Sequence, residues 1–123
     1  MTKAISVTEK KGDVTVVRLL ESRLYQQAVG PFRETMLALV EQGIRKIVVD
    51  LSGVEVMNSS GLGVLILVWD RLSKKKGKMA VSGLNPLLRE LFVRMKLVDL
   101  FQVTETVDQA IRKAGGNKKI PAY

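Results

Sequence analysis

No cysteine and no histidine occur in the chain. Their absence removes disulfide frameworks, Cys/His zinc sites, thiol nucleophiles and every catalytic arrangement that relies on an imidazole base. Most familiar enzyme mechanisms are thereby excluded, and neither a metal nor a cofactor is expected. Long apolar runs are missing too. The longest, Val64-Leu65-Ile66-Leu67-Val68-Trp69, has six residues, against the ~20 that a membrane-spanning helix requires. Residues 1–11 lack the apolar centre of a signal peptide, and the expected location is the cytoplasm. Acidic residues are few: twelve Asp and Glu face twenty Lys and Arg, a formal charge of +8. The imbalance is concentrated in residues 71–96, where eight basic residues stand against Glu90 alone. Such a charge draws acidic partners through long-range attraction.

What is present is enough for one core. The 123 residues are 46% hydrophobic, which suits a single domain, expected over residues 1–114. The run Gly115-Gly116-Asn117-Lys118-Lys119-Ile120-Pro121-Ala122-Tyr123 has no periodicity and reads as a flexible basic tail, 115–123. Residues 4–10 and 14–20 read as two short strands around the polar turn Lys11-Gly12-Asp13. Gly30-Pro31 is expected to open a helix carrying Phe32, Met36, Leu39, Val40 and Ile44 at helical spacing, with Pro31 in the first turn and Gly43 near the end.

Ile47-Val48-Val49-Asp50-Leu51 is β-branched and almost wholly apolar, as a central strand covered on both faces must be. The segment 62–72 shows no clean amphipathic stripe. The capping chemistry of Asn58-Ser59-Ser60 and its length decide for a helix over 60–73. A strand is expected at 78–82. Asn85-Pro86 then supplies a cap and first-turn proline for a helix bearing Leu87, Leu88, Leu91, Phe92 and Met95. A last short strand at 101–103 precedes a Thr106/Gln109 capping box and a terminal helix. The order β-β-α-β-α-β-α-β-α implies an α/β domain with a mixed sheet and about four helices.

One stretch is more specific than a fold class. The strand ending in Asp50-Leu51-Ser52 and the loop Asn58-Ser59-Ser60-Gly61-Leu62-Gly63 at a helix start resemble the signature of STAS domains, the fold of bacterial anti-sigma factor antagonists. Residues 24–34, the Ser82-Gly83-Leu84-Asn85 region and residues 97–110 resemble the family's other landmarks in the same order. The resemblance implies the STAS fold and a binding module in place of an enzyme. It implies an anti-sigma factor that is itself a serine kinase as the partner, loss of binding when that kinase phosphorylates the loop, and a serine phosphatase that restores it. The family's acceptor is usually the second hydroxyl residue of the motif, here Ser60, with Ser59 as the fallback. Partner contacts are expected from Tyr25, Asn58, Ser59, Ser60, Gly61, Leu62 and Gly63, the two glycines letting a partner surface or backbone approach the loop closely.

The residues support a switch on their own terms. The first N–H groups of a helix are unpaired and carry partial positive charge, so a serine there can take a phosphate without loss of the fold. The same residues are equally able to cap a buried helix with no modification at all. Two positions depart from the family pattern. Asn58 stands where the family usually has a carboxylate, and the motif Gly-x-Leu-Asp of many members reads Ser22-Arg23-Leu24-Tyr25 here. Both changes make the expected contact surface less acidic than in many relatives.

Other readings attach to other features. The lysines Lys74, Lys75, Lys76 and Lys78 suit nucleic acid or an anionic membrane, yet no aromatic residues interleave with them to stack bases, and a lysine run at a helix end is ordinarily a solvated cap. A STAS module serving as a subunit of a transport system, or of another partner-switching circuit, is the main alternative. Trp69 and the methionines are expected in the core. No lysine is spaced to activate Ser59 or Ser60 as a nucleophile.

Overall fold

The computed structural model describes residues 4–114. The expected tail, 115–123, lies outside the described residues. Strands β1 (Ser6–Lys11) and β2 (Val14–Leu19) form an antiparallel hairpin in which Lys11 pairs with Val14. Gly12 makes the turn with a positive φ of 67°, a conformation that costs glycine nothing. Beyond β2 lie β4 (Lys46–Asp50), β6 (Lys78–Ser82) and β7 (Gln102–Thr104), each parallel to its neighbour, in the order β1-β2-β4-β6-β7. The apolar strand at 47–51 is therefore central, as its composition requires. Strand β1 closes one edge, and from Val7 onward all its side chains are exposed, Glu9, Lys10 and Lys11 among them.

Alternation along the strands assigns the helices to two faces. Val17, Leu19, Ile47, Val49, Met79 and Val81 turn toward α1 (Gln26–Glu41), α2 (Ser59–Lys74) and α3 (Pro86–Arg94) and form the larger core. Val14, Val16, Val48 and Ala80 turn the other way, against Ala110 and Ala114 of α4 (Val107–Ala114). The alanines let that short helix lie close to the sheet. Its start is the expected capping box, with Gln109 N–H donating to Thr106 Oγ1 at 3.1 Å and Thr106 N–H to Gln109 Oε1 at 3.3 Å. Asn85 likewise caps α3, accepting from Leu88 N–H at 2.8 Å.

The architecture is the expected α/β domain with a mixed sheet and four helices. Met95, expected in the core, is half exposed at the C-cap of α3, and two details of the architecture also differ from expectation. Helix α1 begins at Gln26, so Pro31 lies inside it. Only the carbonyl of Gln27 loses a helical partner to the missing N–H, and Gln27 and Pro31 are both exposed, so water can serve it. In return the extra turn buries Ala28 one turn before Phe32, Met36 and Val40, all on one stripe. Burial of that stripe sets the start, and the proline is tolerated there. The helix does end at Gly43, whose φ of 98° lets Gly43 and Ile44 donate to the carbonyls of Val40 and Leu39, both at 3.1 Å, the paired bonds of a Schellman ending. The second difference is a pair of two-residue strands, β3 (Arg23–Leu24) and β5 (Val56–Met57), which form a small parallel sheet apart from the main one.

Gly83, just after β6, has a φ of 81°, and a Cβ there would lie 2.9 Å from the Cβ and backbone N of Ser52. The end of β6 thus presses on the turn that follows β4. Gly83→Ala combines a left-handed backbone with a backbone clash and is expected to cost about 2 to 4 kcal/mol. Gly30, on α1, meets nothing beyond its own neighbours, but it precedes Pro31 within the helix, and the proline Cδ crowds a Cβ at that position. Gly30→Ala is therefore expected to forfeit most of the gain in helix propensity, changing stability by less than about 0.5 kcal/mol. Urea denaturation should lower the midpoint clearly for Gly83→Ala and leave that of Gly30→Ala near the parent's.

Candidate functional site

The loop between β4 and α2 is held from several sides. Asp50 Oδ1 accepts from Ser52 N–H at 2.9 Å, which turns the chain as it leaves the sheet. Leu51 N–H donates to Ser82 O and Val54 N–H to Leu51 O, each at 2.9 Å. Glu55 N–H then donates to Ser22 O at 2.7 Å, and β5 runs beside β3 with Arg23 opposite Val56 and Leu24 opposite Met57. From the other side, Asn85 Nδ2 donates to Glu55 O at 3.0 Å. The Asp50-Leu51-Ser52 part of the motif is thus a device for aiming the loop.

Continuing the β3–β5 register places Tyr25 beside Asn58, and Asn58 N–H donates to Leu24 O at 3.4 Å. These two residues are the N-caps of α1 and α2, so two helix N-termini start side by side. Asn58 does the work its amide allows: Oδ1 accepts from Gly61 N–H at 3.1 Å. The Tyr25 side chain makes no cap bond and is 43% exposed. Neither helix carries an acidic residue in its first turn. No carboxylate within either first turn offsets the positive helix ends, which favours added negative charge; Glu21 lies in the hollow beside the start of α1.

The expected site residues divide by helical phase. Ser59, Ser60 and Gly63 are exposed, with Asn58 partly so. Gly61 and Leu62 belong to the buried stripe of α2, with Val64, Leu65, Val68 and Leu72. Leu62 is 5% exposed and serves the core. At Gly61 the close approach is made by the chain's own backbone: a Cβ there would lie 3.2 Å from the side chain and carbonyl of Leu24, so its missing side chain admits β3. At Gly63 nothing lies within 4 Å of the missing Cβ. That glycine leaves open surface, as expected of a position approached from outside.

Ser60 and Gly63 share a shallow, open groove between α1 and α2 with Val64 and Leu67 of α2 and Val29 and Arg33 of α1. Arg33 was not among the candidate residues. Its place opposite Ser60 depends on how the two helices pack, and no sequence spacing signals that. Tyr25 lines a neighbouring hollow with Glu21, Arg23, Gln27 and Ala28.

The lysine run sits elsewhere. Lys74 ends α2 and pairs with Asp70 at 3.1 Å, Lys75 is the C-cap, and Lys76 follows with a φ of 61°. At 1.5 Å per residue, the 16 residues of α2 set these lysines about 24 Å from the serines. They occupy the negative end of the helix dipole, as expected for a solvated cap. Trp69 is partly buried against the core. Among the described residues no cluster of three or more His, Cys, Asp or Glu side chains could hold a metal ion, and no helix is long and apolar enough to cross a membrane.

Comparison with known proteins bears on the family and the fold. The STAS domain family matches residues 6–110. BtrV of Bordetella bronchiseptica, assigned as an anti-sigma factor antagonist, is 26% identical over 106 residues, covering 86% of this chain and 91% of BtrV. Among solved structures, an anti-sigma-factor antagonist (STAS) domain protein from Planctomyces limnophilus superposes with a TM-score of 0.82 at 23% identity, over 92% of this chain and 99% of that one. The Bacillus cell fate determinant SpoIIAA in its phosphorylated form gives a TM-score of 0.71 at 23% identity, over 88% and 97%.

The cap can be tested apart from any partner. Asn58→Ala removes the acceptor for Gly61 N–H and is expected to cost about 1 kcal/mol. Asn58→Asp keeps the acceptor and adds a charge that the helix end favours, so it is expected to match or exceed the parent by roughly 0.3 to 1 kcal/mol. Thermal melts at low salt read both, and the gain from aspartate should shrink as salt is raised.

Proposed function

Because the chain belongs to the STAS domain family, and within it resembles the anti-sigma factor antagonists, we propose that it is a cytoplasmic antagonist that binds an anti-sigma factor with serine kinase activity and so releases a sigma factor. Phosphorylation of Ser60 ends that binding, and a serine phosphatase restores it. The observation that carries this reading is the presentation of Ser59 and Ser60: both are exposed on the first turn of α2, and the open surface at Gly63 adjoins them. A capping role alone does not account for this, since Asn58 already supplies the cap.

Of the two serines, Ser60 lines the groove between α1 and α2 and Ser59 does not, which favours Ser60 as the acceptor. In the kinase step Ser60 Oγ loses its proton and takes the γ-phosphoryl group of ATP, with ADP leaving. The phosphate brings about −1.5 to −2 charge near pH 7. Within an interface that excludes water, desolvation and repulsion costing ~3 kcal/mol lower affinity by a hundredfold or more. That is enough to move the kinase from bound to free. The fold itself has no reason to change, because the phosphate is added outside the packed stripe of α2.

The test is intact-mass and peptide mass spectrometry after incubation with ATP and the serine kinases of the anti-sigma type from the same organism. One phosphate is expected on the parent and on Ser59→Ala, and none on Ser60→Ala. A chain that takes no phosphate yet binds a partner tightly would be a constitutive adaptor. A second variant separates fold from contact: Gly63→Ala fills open space within a helix and is expected to stabilise the fold by up to about 1 kcal/mol. Binding of the same variant to the kinase, followed by calorimetry, should weaken.

A further inference from the structure

We propose that Arg33 is the built-in partner of the phosphate on Ser60, receiving it as an ion pair across the groove between α1 and α2. This rests on the reading of Ser60 as the modified residue and adds how the modified form is held.

Three observations carry it. Arg33 and Ser60 line one groove from opposite helices, and Arg33 is the only charged residue among those that line it. Arg33 makes no hydrogen bond or ion pair with any described residue, so its guanidinium gives up no protein contact when it turns to an anion. The rest of the groove is apolar or bare, formed by Val29, Val64, Leu67 and Gly63. The groove is shallow and both residues are exposed, so the pair is a surface one, but no lining carboxylate competes for the guanidinium. Its planar fork matches two phosphate oxygens at once, which an ammonium cannot do.

The consequence is a phosphoserine laid into the groove. Phosphorylation then acts twice, by adding charge and by occupying a depression that a partner side chain could otherwise enter. Removal of the phosphate requires water to attack phosphorus and the P–O bond to Ser60 to break, releasing inorganic phosphate. A phosphoryl group paired to Arg33 must first be lifted out, so Arg33 sets how long the off state lasts.

The experiment uses the full chain with phosphoserine installed at position 60 during translation, so no kinase is needed. Phosphorus-31 NMR follows the second ionisation of the phosphate against pH in the parent, in Arg33→Gln and in Arg33→Lys. A neighbouring cation favours the dianion and lowers that ionisation from its ordinary value of about 6. The α2 amides act equally in all three chains. Arg33 is the charged residue facing the phosphate from α1, none faces it from α2, and Glu21 and Arg23 lie in the adjoining hollow, so Arg23→Gln serves as the control. Arg33→Gln is expected to raise the midpoint by roughly half a pH unit, the size of a partly exposed ion pair. Arg33→Lys should recover part of the difference, and Arg23→Gln should leave it in place. Release of phosphate by a purified serine/threonine phosphatase should be faster from Arg33→Gln than from the parent. Coincident titrations in parent and Arg33→Gln, with both chains folded by circular dichroism, would overturn the ion pair and leave the kinase switch standing. Failure of every kinase to modify Ser60 would instead sink the switch while the ion pair stayed measurable.

Discussion

Leu24 on one side, and Met57, Asn58 and Gly61 on the other, make the contact on which the site depends. Leu24 lies opposite Met57 in the small parallel sheet, its carbonyl accepts from Asn58, and its side chain fills the space that Gly61 leaves empty. Through this one point the start of α1 is fixed against the start of α2. Were Leu24 to move, Tyr25 and Arg33 would lose their positions relative to Asn58 and Ser60. The main sheet supplies rigidity, but it does not by itself bring those residues together. A close approach of backbone to helix does so, and it is available because position 61 has no side chain.

Much of this was legible in the residues, and what was not has identifiable causes. The β-branched run at 47–49 announced the central strand, and Asn58, Asn85 and the Thr106/Gln109 pair announced three helix starts through local chemistry that needs no tertiary context. The start of α1 was misplaced because a proline is a strong local marker, while burial of Ala28 is a tertiary effect. Strands of two residues carry no periodicity to read, so β3 and β5 were invisible. The division of the site is similar. That Ser59, Ser60 and Gly63 belong to a surface followed from the motif. That Gly61 and Leu62 face inward required the phase of a helix whose apolar residues form no clean stripe. Arg33 required the packing of two helices, which no single segment encodes.

Asn58 and Tyr25, the two departures from the family pattern, meet in space. Each stands at an N-cap, and together they leave two adjacent helix ends without a carboxylate in the first turn. Separately they look like two unrelated substitutions. Side by side they describe one change, a more positive field at the exposed start of α2. A partner that reads this surface meets a site biased toward anions, and under the proposed switch complementary acidic groups on the partner would be repelled by a phosphate on Ser60.

Strand β1 closes one edge of the main sheet and shows solvent the charged residues Glu9, Lys10 and Lys11. An open edge is a template onto which another chain can add a strand, and charges placed along it make such addition costly. The chain therefore keeps its backbone donors and acceptors to itself at the margin where self-association would begin. For a small binding module this matters, because charge along an edge directs association away from strand addition there and toward its other surfaces.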